Sequence, residues 1–237
     1  MAIQHAELLS CYVILFPRMN QHKETYFTPA SLTSKAREML LSMASVHRRR
    51  SHFVPEQSAL LALDLQAYFL DKSSHAFVPS ASAILPGINA LIQAFSRRGL
   101  PVFLTRHLNT PENAGLMASW WRDLIAEDNP LSRFDARLDP AAGMEIRKTR
   151  YDAFYNSPLE AHLLERNVNQ VVICGVMTHL CCETTARSAF MRGFSVFFTV
   201  DGTATYTEAF HRASLINLAH GFANLTLVTD ILEALND

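Results

Sequence analysis

The sequence predicts an α/β fold of three layers, with helices on both faces of a doubly wound parallel sheet of about six strands. From residue 60 onward, short apolar runs rich in β-branched and aromatic residues alternate with helical stretches. Strands that are apolar throughout are typical of a parallel sheet covered on both faces. The chain has 237 residues, 49% of them hydrophobic and 18% charged, which is enough apolar material for one sizeable core.

The predicted strands and helices alternate along the chain. The strands span residues 59–64, 101–105, 144–148, 171–176, 195–200 and 224–229. The helices lie between them, at residues 81–99, 157–167, 181–193 and 207–221. Gly99, Gly193 and Gly221 stand where three of these helices should end, because glycine adopts the backbone conformation that closes many helices.

Residues 1–54 form a predicted N-terminal extension ahead of a single domain at residues 55–237. Within the extension, residues 28–46 carry apolar side chains at helical spacing, with Thr28 as a possible cap and Pro29 near the first turn. This pattern predicts one amphipathic helix that packs on the domain or on a second subunit. The run Arg48-Arg49-Arg50 is interpreted as a solvated helix end.

Composition excludes several classes of partner. The net charge of −1 argues against nucleic acid or an anionic membrane. The apolar stretch LLSCYVILF is nine residues long, which is too short to span a bilayer, and it lacks the flanks of a signal peptide. The four cysteines, Cys11, Cys174, Cys181 and Cys182, form neither a CxxC pair nor a zinc pattern. We expect a cytoplasmic protein with reduced thiols.

Reactive side chains follow the predicted strands at their carboxyl ends, where open α/β sheets bind ligands. Asp64 ends the first strand, His107 follows the second and Lys148 ends the third. Cys181 follows the fourth strand and Asp201 the fifth. Because these strand ends meet at one edge of the sheet, we expect an acid, a base and a thiol to lie close together.

Cys181 is the strongest candidate for a nucleophile. It should open the helix after the loop GVMTH, where the helix dipole and a nearby lysine favour the thiolate. An aspartate could take the thiol proton and pass it to a leaving group, while loop amides bind an oxyanion. Cys182 points about 100° further round the helix, so it is interpreted as a core residue, as is Cys174 within its strand.

Four segments share a pattern with a known superfamily: ALLALDLQAYF, GLPVFLTRH, KTRYDAFYNSPLEAHL and VVICGVMTHLCCETTARSAFMRGFSVFFTVDG. In them the chain resembles the isochorismatase-like cysteine hydrolases, which include isochorismatases, nicotinamidases and N-carbamoylsarcosine amidases. The resemblance implies that Asp64 is the general base and acid, that Lys148 supports the thiolate and that Cys181 is the nucleophile. It also implies a cis peptide bond between Val176 and Met177, which aims the amides of Met177 and Cys181 at the oxyanion.

The substrate pocket should draw on side chains near the first three strand ends and in the segment LMASWWRDLI. These side chains are Gln66, Tyr68, Phe69, His107, Trp120, Trp121 and Tyr151. Three arginines could bind a substrate carboxylate, namely Arg106, Arg122 and Arg150. His179 could line the mouth of the pocket.

Three functions stay open. The Asp–Lys–Cys set favours a cysteine hydrolase that cleaves a C–N bond of a small amide, ureide or carbamoyl substrate through a thioester. The segments KTRYDAFYNSPLE and TTARSAFMRG look most like true isochorismatases, which hydrolyse a vinyl ether with the aspartate as acid and need no thiol. A non-catalytic ligand-binding relative is the third possibility.

We expect neither a metal nor another cofactor. The zinc pattern of nicotinamidases places an aspartate and a histidine one residue apart, whereas Asp71 and His75 are spaced differently. The resemblance further implies a homo-oligomer, a dimer or a tetramer, with a small-molecule substrate as the other partner.

Overall fold

The computed structural model describes residues 22–46, 51–140 and 143–236. Cys11, the stretch LLSCYVILF and the run Arg48-Arg49-Arg50 lie outside these described residues. The strands are β1 (Ser58–Leu63), β2 (Val102–His107), β3 (Met144–Lys148), β4 (Gln170–Val176), β5 (Ser195–Ala204) and β6 (Asn224–Thr226). The helices are α1 (Leu32–Ser42), α2 (Ala67–Leu70), α3 (Ala81–Arg97), α4 (Pro111–Ala114), α5 (Met117–Trp120), α6 (Leu159–Glu165), α7 (Glu183–Met191), α8 (Glu208–Gly221) and α9 (Val228–Asn236).

The six strands form one parallel sheet in the order β3-β2-β1-β4-β5-β6. Helices flank it, with α3 packed on α9 and α7 packed on α8. The predicted fold class is therefore confirmed. The strand order reverses direction between β1 and β4, and ligands bind beyond the carboxyl ends of the strands at such a switch point.

The central strands explain the apolar runs of the sequence. Every residue of β1 and of β4 is buried, since both faces of these strands are covered. Gly175, near the end of β4, has a φ of 116°, and a Cβ atom there would lie 2.1 Å from the backbone oxygen of Leu63. Glycine at this position lets the ends of β1 and β4 approach closely, which brings the loops after them together.

The described part of the N-terminal extension, residues 22–46 and 51–54, packs on this domain. Helix α1 begins after Ser31, three residues later than the predicted cap, and the hydroxyls of Thr28 and Ser31 hydrogen-bond to each other. Ala36 and Met39 on this helix are buried in the core. Of the two packing alternatives for the predicted helix, the structure has the one against the chain's own sheet, where α1 contacts β5.

The carboxyl-terminal elements differ from the prediction. Strand β5 continues to Ala204, and β6 ends at Thr226 because Val228 already begins α9. Asp201 therefore lies inside β5, where its Oδ1 accepts a hydrogen bond of 2.7 Å from the amide of Val228. It stabilises the start of α9 and does not join the other reactive side chains. None of the helices in the described ranges combines the length and hydropathy needed to cross a membrane.

Candidate active site

A cavity of about 1050 Å³ opens at the carboxyl ends of the strands. Cys181 and His107 lie in its wall, together with side chains from the segment 117–125 and from Lys23 of the N-terminal extension. Cys181 belongs to a single π-helical turn, Thr178–Cys182, which connects β4 to α7. The thiol thus lies directly at the switch point of the sheet.

Asp64, Lys148 and Cys181 come from three different strand ends and meet where Cys181 lines this cavity. The ammonium Nζ of Lys148 lies 2.8 Å from Oδ2 of Asp64 and 3.3 Å from Sγ of Cys181. The lysine side chain starts from β3, so it crosses the end of β2 to reach the loops after β1 and β4. The three residues named as catalytic by the resemblance are therefore in direct contact.

The Asp64 carboxylate is held from two sides. Its Oδ1 accepts a hydrogen bond of 2.6 Å from the hydroxyl of Thr105, which in turn accepts one from the Asp64 amide. Its Oδ2 is buried, faces the ammonium of Lys148 and accepts no conventional hydrogen bond from the described residues. The backbone of Asp64 has a φ of 52°, which aspartate tolerates better than most residues. Oδ2 is the oxygen available to receive a proton.

Lys148 is charged despite complete burial of its side chain. Burial lowers the pKa of Lys148, but the carboxylate of Asp64 and the thiol of Cys181 oppose this and leave the pKa above its ordinary value. The nitrogen also donates to the carbonyl of Arg150 at 2.9 Å. The ammonium is therefore a fixed positive charge between the acid and the thiol.

The protonation of Cys181 differs from the expectation. Burial and the nearby carboxylate of Asp64 raise the pKa of the Cys181 thiol, and the opposing effect of Lys148 does not offset them. The thiol lies just before α7 rather than inside its first turn. Lys148 therefore lowers the pKa of the Cys181 thiol, as expected, but burial and the Asp64 carboxylate outweigh this effect and favour the protonated thiol. Cys181 keeps its proton next to a carboxylate that can accept it.

The other two described cysteines behave as small core residues. Cys174 and Cys182 are fully buried in the hydrophobic cluster, and burial raises the pKa of each thiol. Cys181 and Cys182 are both free thiols and form no disulfide with each other.

His107 is neutral and its ring orientation is fixed. Burial and the Lys148 ammonium lower the pKa of His107 to about 4. Nδ1 lies 3.4 Å from the Lys148 nitrogen, and Nε2 lies 2.7 Å from Oδ1 of Asn109. An ammonium is only a donor, so Nδ1 accepts and the proton sits on Nε2, which donates to Asn109. His107 therefore lines the cavity as a support for Lys148.

The peptide bond between Val176 and Met177 is cis, at the position that the resemblance implies. The carbonyl of Met177 accepts hydrogen bonds from the amides of Leu180 and Cys182, which close the turn that carries the thiol. Met177 lines the cavity, whereas Val176 is buried beneath it. The assignment of the loop amides to an oxyanion stays a prediction.

Six of the seven predicted substrate-binding residues reach the cavity: Tyr68, Phe69, His107, Trp120, Trp121 and Tyr151. The indole nitrogen of Trp121 donates a hydrogen bond of 2.7 Å to the hydroxyl of Tyr151, which fixes both rings. Trp120 is 77% exposed, so it does not pack in the hydrophobic core, although core packing is the usual role of a buried tryptophan. The cavity is therefore walled largely by aromatic rings.

Gln66 is the exception among these seven. It is fully buried, and its amide nitrogen donates to the carbonyls of His107 and Ser132. Its oxygen accepts a hydrogen bond from the His107 amide. Because backbone groups use both donors and the acceptor, Gln66 connects β1 to β2 and to the segment around Ser132 and does not contact the cavity.

Only one of the three arginines proposed for a carboxylate lines the cavity, namely Arg122. Arg106 is buried and pairs with Glu145 at 3.1 Å. Arg150 donates to the carbonyls of Asn113 and Thr149. These two arginines support loops.

His179 does not line the cavity. It stacks on Phe210 with ring centroids 4.5 Å apart, and its Nδ1 is bonded to the hydroxyl of Thr205. Burial lowers the pKa of His179 to about 4. The ring therefore packs the outer side of the turn that carries Cys181.

Sequence reasoning missed a polar cluster at the mouth of the cavity. The hydroxyl of Tyr68 donates to Oδ1 of Asp123, and Nε2 of His75 lies 2.6 Å from the same oxygen. Asp123 and His75 are separated by long stretches of sequence, and nothing in either local pattern connects them. Asn109 could have been found, because it follows His107 by two residues at the end of a strand.

A metal site has weak support from these side chains. Among the described residues, ligand atoms of Asp64, His107 and Cys181 lie within 4.8 Å of one another. The Lys148 ammonium contacts all three, so a positive charge already occupies their centre. Asp71 and His75 do not converge, because Asp71 binds Ser73 whereas His75 binds Asp123. The expectation of no metal stays a prediction.

Comparison with known proteins gives consistent matches. Residues 58–230 match the family described as the isochorismatase domain. Nicotinamidase 3 of Arabidopsis thaliana is 38% identical over 173 residues, which cover 71% of this chain and 83% of that protein. Enterobactin synthase component B of Escherichia coli (strain K12) is 31% identical over 185 residues, which cover 77% of this chain and 65% of that protein. The structure of a cysteine hydrolase from Pseudomonas syringae pv. phaseolicola 1448A matches with a TM-score of 0.76 at 24% identity, over 79% of this chain and 96% of that one.

Proposed function

The chain belongs to the isochorismatase-like hydrolase family, and we propose that it cleaves a C–N bond of a small amide, ureide or carbamoyl compound. One observation carries this proposal. A buried ammonium, that of Lys148, contacts both a carboxylate oxygen of Asp64 and the thiol of Cys181, and this thiol lies in the wall of the cavity. This arrangement has a nucleophile, a base and a fixed charge in one place, which acyl transfer requires.

The first half of the proposed reaction forms a thioester. Sγ of Cys181 attacks the carbonyl carbon of the substrate while the thiol proton moves to Oδ2 of Asp64. The raised pKa of the Cys181 thiol suits this coupled transfer, because no thiolate has to exist before the substrate binds. Asp64 then gives the proton to the leaving nitrogen, the C–N bond breaks and the amine or ammonia departs.

The second half releases the acid. Asp64, again a carboxylate, takes a proton from a water molecule as that water attacks the thioester carbonyl. The C–S bond breaks and the proton returns to Cys181. Lys148 stays protonated throughout and stabilises the carboxylate of Asp64 and, as the C–S bond breaks, the charge that develops on the sulfur of Cys181.

Nicotinamide is the first substrate to test, because the relative that is 38% identical is named a nicotinamidase. The assay measures ammonia released from nicotinamide and from a panel of small amides, ureides and carbamoyl compounds. Cys181→Ala should reduce kcat by about 10³-fold or more. Cys182→Ala is the matched control, since that thiol is buried in the core, and it should keep kcat within a few-fold of the wild type.

Isochorismatase chemistry is the second candidate, supported by the family match and by the two segments after Lys148 and Cys181 that look like true isochorismatases. Protonation of a vinyl ether needs an acid such as Asp64 but no thiol. The same Cys181→Ala variant separates the two functions, because it should keep most of its activity on isochorismate if this candidate is correct. Failure of the wild type on both substrate classes would support the non-catalytic relative.

A further inference from the structure

The N-terminal extension supplies part of the cavity wall. Lys23 lines the cavity beside Tyr206, and its nitrogen lies 4.3 Å from the centre of the Tyr206 ring. The same nitrogen donates to the carbonyls of His75 and Phe77. Lys23 lies well before residues 58–230, the part of the chain that matches the family. This wall of the cavity therefore comes from outside the matched domain.

The segment that carries Lys23 is firmly attached. The amide of Glu24 donates a hydrogen bond of 2.7 Å to the carbonyl of Tyr206, and Oε2 of Glu24 accepts one of 2.9 Å from the amide of Glu208. Two residues further on, the buried hydroxyl of Tyr26 accepts a hydrogen bond from the amide of Thr205. The side chain of Lys23 is thus held at the cavity by two hydrogen bonds from its nitrogen, and its backbone is held by the hydrogen bonds of the neighbouring Glu24.

Charges around the cavity are unbalanced. Among the described residues, neither Lys23 nor Arg122 lies within ion-pair distance of a carboxylate, although both line the cavity. Asp123 is bound to Tyr68 and His75, and Asp64 is paired with Lys148. In the cavity lining, Lys23 and Arg122 thus face a single carboxylate, that of Asp123, so among the lysine, arginine and carboxylate side chains one positive charge is left over.

We propose that Lys23 and Arg122, which line the same cavity as Cys181, bind a carboxylate on the substrate. This inference rests on the proposed function and specifies its substrate class: an amide, ureide or carbamoyl compound that also carries a carboxylate. An ammonium has three donors, and two of those on Lys23 go to carbonyls, so one remains for a ligand. A charge-assisted hydrogen bond in a half-buried site discriminates strongly against a neutral group.

Binding to the Cys181→Ala protein tests the proposal without turnover. The probes are 4-carbamoylbenzoate and its methyl ester, which differ in the charge of one end, and calorimetry measures Kd for each. We expect the acid to bind roughly tenfold to hundredfold more tightly than the ester. Lys23→Met should remove most of that preference, whereas Lys23→Arg, which keeps the charge, should retain it.

Lys72→Met is the matched control, because it removes the same charge from an exposed position that does not line the cavity. It should leave both Kd values within about twofold, since exposed charges are screened by solvent and salt. The proposal is overturned if the acid and the ester bind equally, if neither binds, or if Lys23→Met weakens both equally, as a purely structural role predicts. Absence of hydrolysis by the protein with Cys181 intact would refute the proposed function instead, and would leave the binding difference measurable.

Discussion

Replacing Lys148 with methionine should destabilise the protein strongly, because it leaves the buried carboxylate of Asp64 without its partner. Both side chains have no exposed surface, and Nζ lies 2.8 Å from Oδ2. At this distance, an effective dielectric constant of about 20 gives an attraction of about 6 kcal/mol, which opposes the cost of burying both charges. Removing one partner of such a pair typically costs about 3–5 kcal/mol. We therefore expect Lys148→Met to lower the free energy of unfolding by about 3–5 kcal/mol.

Chemical denaturation at one fixed protein concentration measures this effect. The double variant Asp64→Asn with Lys148→Met should lose less unfolding free energy than the two single variants lose together. We expect the difference to be at least about 2 kcal/mol. Arg147→Met is the control on the same strand. Its side chain is 60% exposed and pairs with Glu127 and Glu145 at the surface, so its removal should cost no more than about 1 kcal/mol. If Lys148→Met costs as little as Arg147→Met, the buried ion pair does not hold the site together.

Three further predictions concern the backbone, the buried histidine and the thiol. Gly175→Ala should lower the free energy of unfolding by roughly 3 kcal/mol or more, because the added Cβ meets a backbone oxygen at 2.1 Å. Gly99→Ala is the control: its added Cβ meets no atom within 4 Å, so it should cost about 1 kcal/mol. Equal costs for the two variants would contradict the close approach of β1 and β4. Burial lowers the pKa of His211 to about 3, whereas a histidine in the unfolded chain has a pKa of about 6.5. Between these two pH values only the unfolded chain is protonated at this residue, so the free energy of unfolding falls as the pH is lowered. The unfolding free energy of the wild type should then drop by about 1.4 kcal/mol per pH unit more than that of His211→Gln between pH 6 and 4.5, and parallel curves would show that His211 is not the group responsible. Alkylation of Cys181 by iodoacetamide, followed by peptide mass spectrometry, should be slow at neutral pH and still rise above pH 8.5, the ordinary range of a thiol; a plateau below pH 7 would mean a preformed thiolate.

The fold was predictable because burial determines the sequence of its central strands. β1 and β4 are covered on both faces, and after a polar first residue they contain the uninterrupted apolar runs ALLAL and VVIC. The end of β5 was not predictable in the same way. Its last residues include Asp201 and Gly202, which are typical of a turn, yet the strand continues because Asp201 finds a backbone donor at the start of α9. That partner is distant in sequence, so no local pattern reveals it.

Convergence of Asp64, Lys148 and Cys181 was predictable from topology, since Lys148 ends a parallel strand, the other two follow one, and these strands end at one edge of the sheet. The protonation of the thiol was not, because it depends on the balance of burial, carboxylate and ammonium that only the packed site determines. The roles of Gln66 and Lys23 were equally hidden. The side-chain amide of Gln66 hydrogen-bonds to backbone groups of segments distant in sequence. Lys23 reaches the cavity because its segment of the extension packs against the domain.

The central claim is that Cys181 forms a thioester with an amide substrate, and mass spectrometry of the intact protein during turnover tests it most directly. Rapid acid quenching should reveal a mass increase equal to the substrate minus the departing amine. The adduct should map to the peptide that contains Cys181, disappear on treatment with hydroxylamine and be absent from Cys181→Ala. Steady turnover with no adduct, together with comparable activity of Cys181→Ala, would contradict the account and leave Asp64 as the acid of a reaction that needs no thiol.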